Sequence, residues 1–169
     1  MRLGIIGSGS WATALAKILT DNKNPIGWWV RSEHIVTHIK PRRHNPSYLS
    51  SAYFDADLVD LSTDVNKVVS ENEYIVIAVP SAYIIDTLEA LPKNAFEGKK
   101  VISAVKGIIP QNNSLLNDYL AQEFNVDIAD YYTIMGPCHA EEVAAEKLSY
   151  LTFSGTDAVI TEKIAARFN

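Results

Sequence analysis

An α/β fold with a doubly wound, mainly parallel sheet and helices on both faces follows from three features of the sequence. Short apolar runs alternate with stretches of helical periodicity along the whole chain. One run, residues 74–79, is almost continuously apolar, as a strand buried on both faces must be. A Gly-x-Gly-x-x-Ala turn, Gly7 to Ala12, joins the first apolar run to the first helical stretch. The 169 residues are enough for one sizeable core.

The elements follow in order. Residues 2–6 form the first strand, closed by Gly7. Residues 10–21 form a helix, with Trp11, Ala14, Leu15, Ile18 and Leu19 at helical spacing. Asn22-Lys23-Asn24-Pro25 breaks it. Residues 26–30 are the second strand, with Trp28 and Trp29 read as core. Ser32 caps a short helix to about residue 39. Residues 40–53 read as an irregular loop, and a loop of that length in a compact domain is often functional. A weak strand at 58–61 precedes a short helix near 65–69, capped by Thr63 or Asp64. The buried strand 74–79 stops at Pro80-Ser81, and residues 82–91 are helical. Strand 100–105 follows, then an amphipathic stretch at 112–124. Strand 131–135 ends at Gly136-Pro137 and leads into a short helix at 139–145. Strand 148–154 and a helix from 157 to 168 complete the reading. No repeat or low-complexity tract interrupts it. The last helix meets no glycine or proline stop, so residues 1–169 read as an N-terminal domain with more chain expected beyond it.

Composition excludes several classes. The chain is 47% hydrophobic and 21% charged, with a formal net charge of -5, as in a soluble globular domain. A surface that tracks nucleic-acid phosphates needs a basic excess, so no nucleic acid is expected. The one basic run, Lys40-Pro41-Arg42-Arg43-His44, reads as solvated surface. No apolar stretch approaches a membrane span, and the N-terminal run is too short for a secretion signal. The single cysteine, Cys138, allows no intrachain disulfide, which suits a cytoplasmic setting. His34, His38, His44 and His139 lack carboxylate-backed ligand spacing, so no metal is expected; His34 and His38, four apart, read as helical surface neighbours.

Each position of the glycine turn has a physical task. Gly7 permits the tight turn, Gly9 lets the backbone approach a pyrophosphate, and Ala12 is small enough for the helix to pack on the strand. The helix start at Ser10 and Trp11 offers free N–H groups and a positive dipole end. A plain structural turn is the alternative. A strand before and a helix after favour a Rossmann-type dinucleotide site. At the end of the second strand, where NAD-binding domains often carry Asp or Glu, this chain has Arg31. An arginine there can pair with the 2′-phosphate of NADP, which favours NADP over NAD. Glu33 keeps a ribose contact open, and a solvated cation is the alternative for Arg31.

Beyond the glycine turn and its continuation to Ala16, the chain carries Trp29-Val30-Arg31, Asn45-Pro46-Ser47-Tyr48-Leu49 and Ala78-Val79-Pro80-Ser81. Ser103-Ala104-Val105-Lys106-Gly107-Ile108 and Gly136-Pro137-Cys138-His139-Ala140-Glu141-Glu142-Val143 follow. In this order and spacing the chain resembles the bacterial type of NAD(P)-dependent glycerol-3-phosphate dehydrogenases along essentially its whole length. It departs where the family usually has Gly (Ala12 here), a hydroxyl residue (Cys138) and an aromatic (His139). The last two changes bear on side-chain chemistry there; a role for backbone groups would survive.

The resemblance implies reversible hydride transfer between NAD(P)H and dihydroxyacetone phosphate, giving sn-glycerol 3-phosphate for glycerophospholipid synthesis in the cytoplasm. It implies an all-helical C-terminal domain beyond residue 169, with a second lysine as proton donor, most substrate-phosphate contacts and a homodimer interface. Lys106 is the implied catalytic residue, touching both substrate and cofactor. Gly136 and Cys138 are implied at the substrate, and Trp11, Tyr48 and Ala140 at the cofactor. Pro80 borders the nicotinamide side in this reading. From the residues alone, a lysine at a strand end is usually just solvated, although ligand crevices lie beyond such ends. The proposed chemistry needs no thiol nucleophile from Cys138. Another Rossmann-type β-hydroxyacid or ketoacid reductase is the competing enzyme reading. A nucleotide-sensing module would keep Gly7 and Gly9 but have no use for Lys106. Residues 1–169 alone are expected to bind cofactor and to be inactive.

Overall fold

The computed structural model describes residues 1–169. Seven strands form one sheet in the order β3-β2-β1-β4-β5-β6-β7. They are β1 (Leu3–Ile6), β2 (Ile26–Trp29), β3 (Val59–Ser62), β4 (Tyr74–Ile77), β5 (Lys100–Ser103), β6 (Tyr131–Met135) and β7 (Thr152–Ser154). Strands β1 to β6 pair in parallel, and β7 runs antiparallel to β6. Parallel neighbours need crossovers, and helices provide them. These are α1 (Ser10–Asp21), α2 (Glu33–Arg42), α3 (Val65–Glu71), α4 (Ile84–Leu88) and α5 (Leu116–Phe124). Helices α6 (Ala140–Ala144) and α7 (Ala158–Ala165) flank β7.

Alternation along the strands feeds two cores. On one face Leu3, Ile5, Val76 and Ile102 pack with Leu15 and Leu19 of α1, Ile39 of α2 and Ile164 of α7. On the other, Ile6, Ile75, Ile77 and Val101 pack with Val69 of α3, Leu88 of α4 and Leu120 of α5. This double winding explains the continuous apolar run at the centre of the sequence, since both faces of β4 are covered. Each fully buried aliphatic side chain contributes about 1.5–3 kcal/mol. A smaller cluster, Ala14, Ala52, Cys138, Ala140, Val143 and Ala144, seats α6 on α1.

Several boundaries differ from expectation. Helix α2 runs through Pro41 to Arg42, where a loop from residue 40 was expected. Proline has no N–H to bond the carbonyl four residues back, so the helix passes it with one ladder bond fewer and goes no further than Arg42. The helix then ends as Arg43 takes a left-handed φ of 60° and donates its N–H to Ile39 O at 2.8 Å. Residues 81–83 form a 3-10 turn before a shorter α4. Residues 109 and 114 form an isolated antiparallel bridge, so α5 starts at Leu116 rather than near 112. Strand β7 keeps only three residues of the expected seven, because only Thr152–Ser154 pair with β6. Asp64, one of the two expected caps, accepts from Asn66 N at 2.9 Å. The end of α7 is tied to the α1–β2 turn: Arg167 donates to Asn24 Oδ1 at 3.1 Å, and Phe168 packs on Phe153.

Candidate functional site

Strand order reverses between β1 and β4, and an open parallel sheet forms its ligand crevice at such a point, beyond the carboxyl ends of the strands. The glycine turn lies there. Gly7 has φ +139°, and a Cβ on it would stand 2.4 Å from the Ala78 carbonyl oxygen just past β4. Only glycine satisfies both demands. Trp28 is fully buried, and its indole N–H donates to Gly7 O at 2.6 Å, locking the turn onto β2. Gly9 faces the opposite situation: a Cβ there would meet nothing within 4 Å. It is the N-cap of α1, and the first helical hydrogen bond runs from Thr13 N to Gly9 O at 3.0 Å. The N–H groups of Ser10, Trp11 and Ala12 therefore have no helical acceptor. Open space above Gly9, free donors and a helix dipole fit a pyrophosphate.

Asn45 holds the facing segment in place. It is fully buried, and each polar atom of its amide is used. Its Nδ2 donates to Ser8 O at 3.1 Å and to Thr13 Oγ1 at 2.9 Å. Its Oδ1 accepts from Ser47 N at 3.0 Å and Tyr48 N at 3.2 Å. One side chain thus fastens the segment bearing Tyr48 to the glycine turn.

A cavity of about 420 Å³ opens between these parts. Gly9, Arg31, Tyr48 and Pro80, all expected at the site, line it together. Glu33, the ribose alternative, is exposed at the start of α2 and lies outside that lining. Trp29, expected in the core, is half-buried: it packs against the core and also forms a wall of the cavity, and its Nε1 donates to Thr63 O at 3.0 Å. Tyr83, Asp86 and Thr87 on the α4 side complete the opposite wall. The sequence reading missed these three and Asn45. The apolar periodicity of α4 marks its core face only, whereas a wall needs the other face. Asn45 opens the Asn45-Pro46-Ser47-Tyr48-Leu49 motif, but nothing local marks a buried amide. A larger groove of about 1030 Å³ runs between α1 and α7, lined by Lys17, Tyr150 and Phe168 among others. It contains none of the glycine-turn residues, so the smaller cavity is the chemically coherent one.

Trp11 and Lys106 stand at the other end of the turn. Trp11 is half-buried, bridging the α1 face of the sheet and the α6 cluster. Lys106 is exposed three residues beyond β5, with its ammonium 5.9 Å from the Trp11 ring centroid. That is a cation–π distance, and it brings a free donor close to the α1 N-terminus. Gly136 follows β6; a Cβ on it would stand 2.2 Å from Tyr150 O, so its glycine admits the neighbouring chain. Cys138 is 7% exposed and packs among alanines and Val143. Ala140 is buried beside it at the start of α6.

The family described as NAD-dependent glycerol-3-phosphate dehydrogenase N-terminus matches residues 2–160. A glycerol-3-phosphate dehydrogenase of Chlorobium luteolum is 28% identical over 170 residues, covering 100% of this chain and 51% of the relative. That of Bacillus subtilis is 30% identical, covering 99% of this chain and 48% of the relative. The chain spans about half the length of the curated relatives it matches. The solved structure of a Plasmodium falciparum glycerol-3-phosphate dehydrogenase superposes with a TM-score of 0.88 at 24% identity, over 100% of this chain and 50% of that one. That likeness supports the fold. With the family match spanning nearly the whole chain, residues 1–169 belong to the NAD-dependent glycerol-3-phosphate dehydrogenase N-terminal family.

Proposed function

We propose that this chain is the cofactor half of an enzyme that reduces dihydroxyacetone phosphate to sn-glycerol 3-phosphate with NAD(P)H. The observation that carries the reading is the pairing of Lys106 with Trp11 beside the glycine turn. A cofactor-binding turn alone would serve many reactions. An ammonium held at its edge adds one thing that carbonyl reduction requires, a cation to polarise the carbonyl oxygen.

The nicotinamide cofactor supplies the hydride. Gly9 and the free amides of Ser10 and Trp11 hold its pyrophosphate, with Ala140 alongside. Arg31 at the cavity rim pairs with a 2′-phosphate, which favours NADP over NAD. Tyr48 and Pro80 bound the dinucleotide channel. The Lys106 ammonium donates to the substrate carbonyl oxygen and offsets the developing alkoxide charge. Backbone groups at Gly136 and Cys138 position the same substrate. The proton that completes the alcohol comes from a group beyond these residues. In this reading the product serves glycerophospholipid synthesis in the cytoplasm, and any homodimer forms through chain beyond residue 169. No helix of the chain is long and apolar enough to cross a membrane.

The test compares NADPH oxidation with dihydroxyacetone phosphate against ketoacids, in a chain extended to the length of its relatives. Dihydroxyacetone phosphate should be the preferred substrate, and Lys106→Ala should lower turnover by roughly a hundredfold or more while cofactor binding persists. Preference for a ketoacid, or near-normal turnover by the variant, contradicts the reading. Arg31→Ala should shrink the NADP/NAD affinity ratio; an unchanged ratio removes Arg31 from the 2′-phosphate. Residues 1–169 alone should bind NADPH without turnover.

A further inference from the structure

Three histidines gather where α2 hands over to the segment that carries Asn45 and Tyr48. His34 and His38 stand one turn apart on α2, with ring centroids 6.3 Å apart. The left-handed Arg43 folds the chain back, so that His44 returns against His38. The two rings meet edge to face at 4.8 Å, and their Nε2 atoms are 3.4 Å apart. His44 Nδ1 lies 3.1 Å from the Asn45 carbonyl oxygen, which can only accept. The proton therefore sits on Nδ1, and the Nε2 lone pair of His44 is left facing His38. The Tyr53 ring closes another side of His44 at 5.3 Å.

The spacing of the two nitrogens is informative. Two imidazole nitrogens at ~2.0–2.1 Å from one tetrahedral zinc ion stand about 3.3–3.4 Å apart. Without an ion, the same approach is bridged by the Nε2–H of His38 donating to His44. A backbone carbonyl on the far nitrogen is also the usual device that orients a metal-ligating histidine. His34 and His38, at i and i+4, share the helix face from which two imidazoles reach a common ion.

We propose that His38 and His44 bind a divalent ion of the zinc, nickel or copper class, which suits imidazole donors. His34 joins as third ligand after a side-chain rotation, and water completes the shell. No set of three metal-ligating side chains is already assembled, so the ion is exchangeable rather than structural. Lys40 and Arg42 oppose a cation, while Arg43 is engaged by Asp57 at 3.3 Å. Occupancy would tie α2, which follows Arg31, to the segment of Tyr48. Both of those residues line the cavity, so the ion would stiffen the cavity rim. The proposal needs neither the reaction nor the cofactor assigned above.

The experiment is calorimetric titration of residues 1–169 with zinc chloride, without cofactor. One saturable equivalent is expected. His38→Gln and His44→Gln should each weaken it at least about tenfold, the low end of what losing even a ligand's supporting partner costs. His34→Gln should weaken it less, and His139→Gln should leave it unchanged. Long-range histidine nitrogen spectra of the unsubstituted protein give a readout that does not depend on the variants folding. Zinc should shift the Nε2 signals of His38 and His44 and spare those of His139. No saturable binding, binding that survives both substitutions, or shifts confined to other histidines overturns the assignment.

Discussion

Two glycines two residues apart do different work, and single substitutions separate them. Gly7→Ala places a methyl group against the Ala78 carbonyl in a backbone conformation alanine rarely adopts. The expected cost is about 3 kcal/mol or more, read from urea unfolding. Gly9→Ala adds a methyl group in open space. It should change stability by less than about 1 kcal/mol, the difference between two N-cap residues, yet weaken NADPH binding by filling the phosphate cradle. Equal stability losses in the two variants would contradict this division. The motif was legible in the sequence at both positions. So was the division of tasks between Gly7 and Gly9; the structure adds what stands opposite each Cβ, the Ala78 carbonyl at Gly7 and open space at Gly9. Cys138 makes the same point. Its place in a motif suggested substrate contact, but the fold turns its side chain into an alanine-lined cluster.

At the scale of elements, helix and strand types followed from periodicity, and their ends did not. Strand β7 is short because only three residues find a partner on β6, and pairing is a tertiary fact. Helix α2 passes Pro41, which has no N–H for the Thr37 carbonyl four residues back, and stops two residues later at the left-handed Arg43. The segment after α2 reads as polar loop, yet it is held as firmly as a core element by Asn45. Asn45→Ala would leave the Ser8 carbonyl without its side-chain donor and the Ser47 and Tyr48 N–H groups without their acceptor. Its expected cost is roughly 2–4 kcal/mol, measured by urea unfolding, with weaker NADPH binding because Tyr48 and the glycine turn lose their common anchor. A variant as stable as the parent would show that the segment is held by something else.

Across the whole molecule, the carboxyl ends of the strands hold the candidate site and the amino ends hold ion pairs. At the amino end of β5, Lys100 binds Asp130, just before β6. The hydrogen bond that Lys100 donates to the Asp130 carboxylate raises the Lys100 pKa above the ordinary lysine value of 10.5, against the opposing effect of burial. A raised lysine stabilises the fold fully below the unfolded value and loses that contribution as pH climbs through the folded one. Asp130→Asn should therefore lower the thermal midpoint at neutral pH, and the gap to the parent should close as pH rises beyond 10.5. A gap undiminished in alkali would refute the pairing. Tyr131 and Tyr132, both raised chiefly by burial, also titrate in alkali; Tyr131 is common to both proteins, whereas the Asp130 charge helps raise Tyr132, so the comparison is made with Tyr132→Phe in both backgrounds.

The sequence by itself determined the α/β class, the parallel sheet, the glycine turn and the family, because each of these is written in local periodicity or in a contiguous motif. Tertiary structure alone decided that Trp29 lines the cavity while Trp28 props the turn, that Asn45 fastens the far segment, and that Lys106 stands over Trp11. It also placed His44 against His38. Those relations join residues whose neighbours in sequence carry no trace of them. Those at the crevice arise only when β1, β2, β4 and β5 pair side by side with their carboxyl ends together, and the histidine contact only when Arg43 turns the chain back on α2.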